Sequence, residues 1–453
     1  MTDFSTQSIE QLLEKGTHDC ACGRSHSAAL KYVKIGPGAV RHLEEALKTL
    51  GVARPFVVFD ANTFRAAGKK VLSELSRAGI PFGQFVFEKS PLKMEPDEHA
   101  VGALTTAFDP ASDGVLAVGS GVINDCCKVL AHAAGLPLAV VGTAPSMDGY
   151  ASNSSSMVQN RIKVSLYVKC PEAILCDTDI MKEAPMEMLM AGLGDMLAKY
   201  ISVCEWRISH LVTGEYYCEN IAGLMRRSVN RCYEMADRLM QRDPEAVAAV
   251  TEGLVLSGIA MSYAGISRPA SGLEHYFSHL WEMMALERGE ASQLHGIQVG
   301  VGTVLTLFLM EKLEQVKPDR EKGLAAMRSF DSAAWEDEVR GIFGKTAPAI
   351  IAAEKRLGLN DPTRHARRLE NILAHWDDIT RIMREELPAA SALLAKMKAL
   401  GLPHCPKDLG ISLEDTKKAF RGSRVIRDKY LTSTLIWDLG LTEEFEETLR
   451  EEY

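Results

Sequence analysis

The chain has 453 residues, of which 46% are apolar, 25% charged and 7% aromatic, and its formal net charge is −9. That length exceeds one typical hydrophobic core and suits two domains. Acidic and basic residues are interspersed without a basic stripe, which argues against a nucleic-acid partner.

The opening, MTDFSTQSIEQLLEKG, is polar and acidic, unlike a secretory leader. The longest apolar run, 296–310, contains Gln298. It is shorter than a membrane span needs and reads as a buried helix, so no membrane insertion is expected. The ten cysteines are scattered through a chain long enough to build a core. They read as reduced thiols in a cytoplasmic protein.

Ser8 is placed to cap a first helix that stops at Gly16. The stretch His18-Asp-Cys-Ala-Cys-Gly-Arg-Ser-His26 reads as a polar loop. Cys20, Cys22 and His26 in it are metal-binding residue types. Their Cys-x-Cys-x3-His spacing has no evident fourth ligand.

From residue 31 the pattern alternates. Strands are expected at 31–35, 55–59, 82–87, 114–118 and 137–141, with amphipathic helices at 38–50, 62–78, 96–108 and 121–134. Short apolar runs separated by helices of this length signal βαβ units, a mostly parallel sheet and a Rossmann-like domain. Ligands of such domains bind at the carboxyl ends of the strands. The second strand ends in Asp60, suited either to the ribose hydroxyls of a dinucleotide or to capping the next helix. The fourth runs into Gly119-Ser120-Gly121 and a helix. Glycines let the backbone approach a pyrophosphate, and a helix N-terminus favours its charge. Asn124 stands where a dinucleotide fingerprint has its third glycine.

The fifth strand leads into Thr143-Ala-Pro-Ser-Met-Asp-Gly-Tyr-Ala-Ser152, a polar loop of small residues at the same edge of the sheet. Its hydroxyls and Asp148 are placed where a nucleotide and a polyol could meet. A polar hairpin at 157–169 and a last strand at 173–176 follow. Beyond about residue 180 helical periods dominate. The expected division is therefore 1–180, α/β, and 181–453, all-α. The charged helices of 311–400 read as solvated faces, with His375 and Trp376 as packing residues.

The helical part carries His275 and His279, four apart and so on one helix face, and His295 in a Leu-His-Gly turn. Ala191-Gly-Leu-Gly-Asp195 supplies the best acidic partner. Two His and one carboxylate with an open position is a common catalytic zinc site, and the same ligands suit iron or nickel. A metal there would polarise a carbonyl or favour an alkoxide, with hydride passing to or from a nicotinamide held over the glycine turn.

These segments, with Ser271-Gly-Leu-Glu-His275 and Ile426-Arg-Asp-Lys-Tyr430, resemble the sn-glycerol-1-phosphate dehydrogenase family. That family sits within the metal-dependent glycerol dehydrogenases and dehydroquinate synthases, and the resemblance runs over about 18–440. It implies a dehydroquinate synthase-like architecture and one divalent metal, zinc first, then nickel or iron, on Asp195, His275 and His295. It implies NAD or NADP held by Gly119, Ser120, Gly121, Thr143 and Ser146, with Asp60 near the adenosine ribose. Asp125, Lys128, Asp148, Ser152 and His279 would face the substrate, with His279 and Asp148 closest to the chemistry. Arg268 and Lys163 are charged neighbours suited to a phosphate. The implied reaction is reduction of glycerone phosphate to sn-glycerol 1-phosphate by a homo-oligomer, a dimer or larger. The alternatives are a related polyol or sugar-phosphate dehydrogenase, or a lyase or cyclase of the dehydroquinate synthase kind.

Overall fold

A computed structural model describes residues 3–88, 94–159, 162–450 and 452. The chain divides into two compact units. The first comprises Met1–Met196 and Glu219–Pro269, and the second Leu197–Cys218 and Ala270–Tyr453.

The first unit begins with helix α1 (Ile9–Lys15). Ser8 and Gln11 close a reciprocal capping box at its start, and Gly16 ends it with a positive φ. The stretch expected as a polar loop is instead a tight antiparallel hairpin of β1 (Thr17–Asp19) and β2 (Ser25–Ser27). Three-residue strands are too short to leave a period in the sequence. They form because His18 and His26, paired across the ladder, both turn inward and are buried.

A six-stranded parallel sheet follows. Its strands are β3 (Tyr32–Gly36), β4 (Pro55–Asp60), β5 (Gly83–Phe87), β6 (Gly114–Gly119), β7 (Leu138–Gly142) and β10 (Ala173–Asp177). Their spatial order is β3-β10-β7-β6-β4-β5. Every strand expected from the alternating pattern is present, displaced by a residue at one or both ends. β4, β6, β7 and β10 are buried nearly end to end, as strands covered on both faces must be. Val57, Phe59, Leu116, Val118, Val141 and Leu175 form a core with Leu43 and Leu47 of helix α2 (Leu43–Leu50) and with Val71 and Leu75 of helix α3 (Lys69–Arg77).

The chain leaves β4 for β5 on one side and then returns to β6 on the other. The crevice at the carboxyl ends of β4 and β6 is therefore the topological switch point, where open α/β sheets take their ligands. Asp60 and Gly119 end those two strands. Helix α4 (Glu98–Ala107) precedes β6, and helix α5 (Gly121–Ala134) follows it. The polar hairpin pairs β8 (Ser154–Gln159) with β9 (Ile162–Tyr167), and its tip, 160–161, lies outside the described residues.

The change from strands to helices after Asp177 does not coincide with the division into compact units. Helix α6 (Met186–Leu197) runs across the junction between them, and helix α7 (Lys199–Thr213) lies in the second unit. Helices α8 (Glu219–Glu234) and α9 (Pro244–Ala264) return to the first. The second unit is otherwise built on α10 (Leu273–Arg288) and α11 (His295–Glu314), followed by shorter helices. By length and composition α9 and α11 could each cross a membrane, yet 78% and 83% of their apolar windows are buried inside the protein. Among the later helices Asp319, Asp331 and Asp361 serve as N-caps. The Trp376 indole donates to the Val316 carbonyl, in keeping with a packing role, whereas His375 is nearly half exposed and faces Asp378 at 3.4 Å on the surface.

Candidate active site

In the first unit the loop after β7 folds over the glycine turn. Ser120 Oγ and Ser146 Oγ lie 2.5 Å apart, and Thr143 N–H donates to the Gly119 carbonyl. Turn and loop are thus one hydrogen-bonded piece at the N-terminus of α5. A Cβ on Gly119 would fall 2.6 Å from Ile123 Cβ, so this strand end requires glycine. A Cβ on Gly121 would make only ordinary contact with Met147. Asp60 Oδ1 accepts from Asn62 N–H and Thr63 N–H at 2.7 Å each, so the capping role is realised.

Asp148 opens a short 3-10 turn in the same loop, and Asp195 lies in the last turn of α6, fully buried. Asp148 N–H donates to Asp195 Oδ2 at 2.9 Å, and Ser257 Oγ on α9 donates to Asp148 Oδ2 at 2.8 Å. Both carboxylates are therefore oriented by the protein. Two glycines allow this closeness. A Cβ on Gly192 would sit 1.8 Å from the Pro145 carbonyl oxygen, and one on Gly258 would sit 2.6 Å from Ala151 Cβ. Glycine lets helices α6 and α9 press against the loop backbone.

Lys128 is fully buried, and its ammonium donates to Gly149 O, Ser152 Oγ and Ser154 O. Those three bonds use all its hydrogens and tie the loop's return to α5. Burial lowers its pKa from the ordinary lysine value, with the Asp125 charge opposing. Asp125 has the reverse balance. Burial raises its carboxyl to about 6, against the pull of Lys128, of bonds from Ser156 and Ser155, and of Lys163. Arg268 is 2% exposed.

In the second unit His275, His279 and His295 come together, as their spacing suggests. Ring centroids are 5.3 Å apart for His275 and His295, and His279 stacks on His295 at 5.5 Å. His275 Nδ1 donates to Glu274 Oε1 at 2.8 Å, and Glu274 is fully buried. That bond keeps the proton on Nδ1 and leaves the lone pair on Nε2. Close to His295 Nδ1 lie Ser278 Oγ at 3.1 Å and Glu282 Oε1 at 3.3 Å. Burial, with Arg427 and His295 nearby, pushes the His279 pKa well below its ordinary value although Glu282 opposes, so this imidazole is neutral. A Cβ on Gly302 of α11 would meet the Glu274 carbonyl oxygen at 2.5 Å, which explains a glycine inside this apolar helix.

Ser257, Glu274, Ser278, Glu282 and the Gly192–Pro145 contact are not read from the sequence. Only Glu274 leaves a signal there, by standing immediately before a candidate ligand.

A glycerol-1-phosphate dehydrogenase (NAD(P)+) of Halalkalibacterium halodurans is 33% identical over 316 residues, spanning 69% of this chain and 79% of the relative. The chain belongs to the glycerol-1-phosphate dehydrogenase family. A relative of the same description from Bacillus licheniformis is 27% identical over 93% of this chain and 92% of its own. The family model described as iron-containing alcohol dehydrogenase matches residues 34–185. Among solved structures, an iron-containing alcohol dehydrogenase of Corynebacterium glutamicum shares the fold, with TM-score 0.58 at 16% identity over 94% of this chain and 97% of that one.

The residues of this family member suit the groups its relatives imply. Carboxylate-buttressed imidazoles are the outer-shell arrangement typical of metal-binding histidines, and a buried aspartate held by a backbone N–H is a hard oxygen donor. The turn between β6 and α5 presents a helix N-terminus, which suits a dinucleotide's phosphates.

Proposed function

We propose that this chain is an NAD(P)- and metal-dependent dehydrogenase that interconverts glycerone phosphate and sn-glycerol 1-phosphate. The observation that carries this reading is the Glu274–His275 bond in a chain of this family. It prepares one nitrogen for a Lewis acid in a member of an oxidoreductase family. Asp195, His275 and His295 would hold one divalent ion, with zinc first among the candidates. Gly119, Ser120, Gly121, Thr143 and Ser146 would hold the dinucleotide, with Asp60 beside its ribose. When bound, the ion supplies Lewis acidity at the substrate oxygen and the nicotinamide supplies or accepts the hydride.

The chain's own residues supply position and charge. Asp148, fixed by Ser257 and by its backbone bond to Asp195, presents a carboxylate to the polyol hydroxyls. Neutral His279 orients the substrate and takes or gives its hydroxyl proton. Lys128 shapes the loop through its three bonds, with Asp125 and Ser152 beside it; Arg268 and Lys163 are the cations offered to the phosphate. The ten cysteines, none in a disulfide, suit a reducing cytoplasm, and a homo-oligomer is part of this proposal.

The test is NADH oxidation by the purified protein with glycerone phosphate beside dihydroxyacetone, with zinc or nickel restored after chelation. Turnover of the phosphate ester supports the reading. Turnover of dihydroxyacetone alone moves the substrate to a simple polyol, and turnover of neither refutes the proposed reaction. Asp195→Asn and His275→Ala should lose this metal and activity together, whereas His279→Ala should keep the metal and lose turnover. Metal loss in His279→Ala would mean that His279 and Glu282, not His275, complete the ligand set.

A further inference from the structure

The hairpin β1–β2 gathers a second set of soft donors, which the dehydrogenase chemistry does not use. The turn is pinned by Cys20 N–H to the Arg24 carbonyl and by Gly23 N–H to the Cys20 carbonyl, with Gly23 at φ 84°. It brings the ligand atoms of Cys20, Cys22 and His26 within 4.8 Å of one another. Cys22 Sγ lies 3.3 Å from His26 Nε2. A tetrahedral zinc ion with ordinary Zn–S and Zn–N bonds would set that edge at about 3.6 Å.

The surroundings are those of a coordinating pair rather than of a plain core. His26 Nδ1 donates to the Tyr263 carbonyl at 2.9 Å, so Nε2, on the side of Cys22, carries the lone pair. The ring is held by stacking on Tyr263 and by the edge of Phe4. Asn220, in the first turn of α8, donates its amide to Cys20 Sγ at 3.2 Å, a bond that favours a thiolate. Cys218, two residues before Asn220, is 1% exposed. Chain geometry keeps its Cα within about 7.6 Å of that of Asn220. It supplies the fourth ligand missing from the local spacing.

We propose that Cys20, Cys22, His26 and Cys218 bind a structural zinc ion, separate from the catalytic metal, that clamps the N-terminal hairpin to the start of α8. Three thiolates and one imidazole form a closed set with no place for substrate, which makes the role structural. Binding replaces the protons of the three thiols and releases them to solvent.

The test uses the full-length protein loaded with cobalt(II) in place of zinc. Thiolate-to-cobalt charge transfer gives a strong near-ultraviolet band that an Asp-His-His site lacks. Wild-type protein should hold about two equivalents of metal and show the band. His275→Ala should keep the band and lose one equivalent, and Cys22→Ser, which leaves two of the three thiolates, should weaken the band by about a third or more while turnover stays within about twofold. One equivalent without the band in wild type, or a band undiminished in Cys22→Ser, overturns the proposal. Should Cys22→Ser fail to fold, the spectra of wild type and His275→Ala still decide. Because the catalytic ligands contain no sulfur, failure of that assignment leaves this result unaffected.

Discussion

Gly192→Ala tests whether the contact between α6 and the loop of Asp148 holds the site. The added methyl would sit 1.8 Å from the Pro145 carbonyl oxygen, whereas carbon and oxygen tolerate about 3.3 Å. Helix and loop must therefore part by about 1.5 Å, since the obstacle is backbone and cannot rotate away. Such overpacking costs about 3 kcal/mol, the upper part of its usual range, and should lower Tm by roughly 5–10 °C. The same displacement stretches the 2.9 Å bond from Asp148 N–H to Asp195 Oδ2 beyond hydrogen-bond length. A misplacement near 1 Å costs on the order of 100-fold in rate, so kcat/KM should fall about that far. The assay pairs a thermal melt with NADH oxidation on metal-saturated protein. Gly102→Ala is the control. It lies exposed in α4, its added methyl meets nothing within 4 Å, and it should gain about 0.5–1 kcal/mol. A Gly192→Ala protein with wild-type Tm and turnover would refute the reasoning.

Two further substitutions probe the electrostatics. Glu274→Gln keeps the shape but removes the charge that raises the basicity of His275, so affinity for the catalytic metal should fall about 10–100-fold in chelator competition. Unchanged affinity would mean that His275 is not a ligand through Nε2. Asp125 is raised from its ordinary 3.8 to about 6 by burial, so the folded state favours its protonated form. Its stabilising effect is full below pH 4 and is lost as pH rises through 6, and wild type should lose about 3 kcal/mol relative to Asp125→Asn over that window. Urea unfolding at pH 4 to 7 measures the difference, and a constant difference would contradict the burial of this carboxyl.

Much of the first unit was legible because parallel strands buried on both faces leave near-continuous apolar runs, as at β4, β6 and β7. Such runs alternate with helices whose period of 3.6 is equally plain. The first hairpin was not legible. Its strands are three residues long, and its inward histidines resemble any polar loop. Asp60 shows a different limit. The sequence allows both a ribose contact and a helix cap, and only the placement of Asn62 and Thr63 N–H realises the cap.

The sequence by itself determined the alternation of the sheet, the helix face shared by His275 and His279, and the family, because these depend on local period and on motif. Tertiary structure alone decided which side chains orient them. Ser257 reaches Asp148 across 109 positions, Asn220 reaches Cys20 across 200, and Gly192 is required by a carbonyl 47 residues earlier. No pattern in a linear chain encodes such distances. They are set when buried polar groups and close-packed backbones find partners only in the folded core.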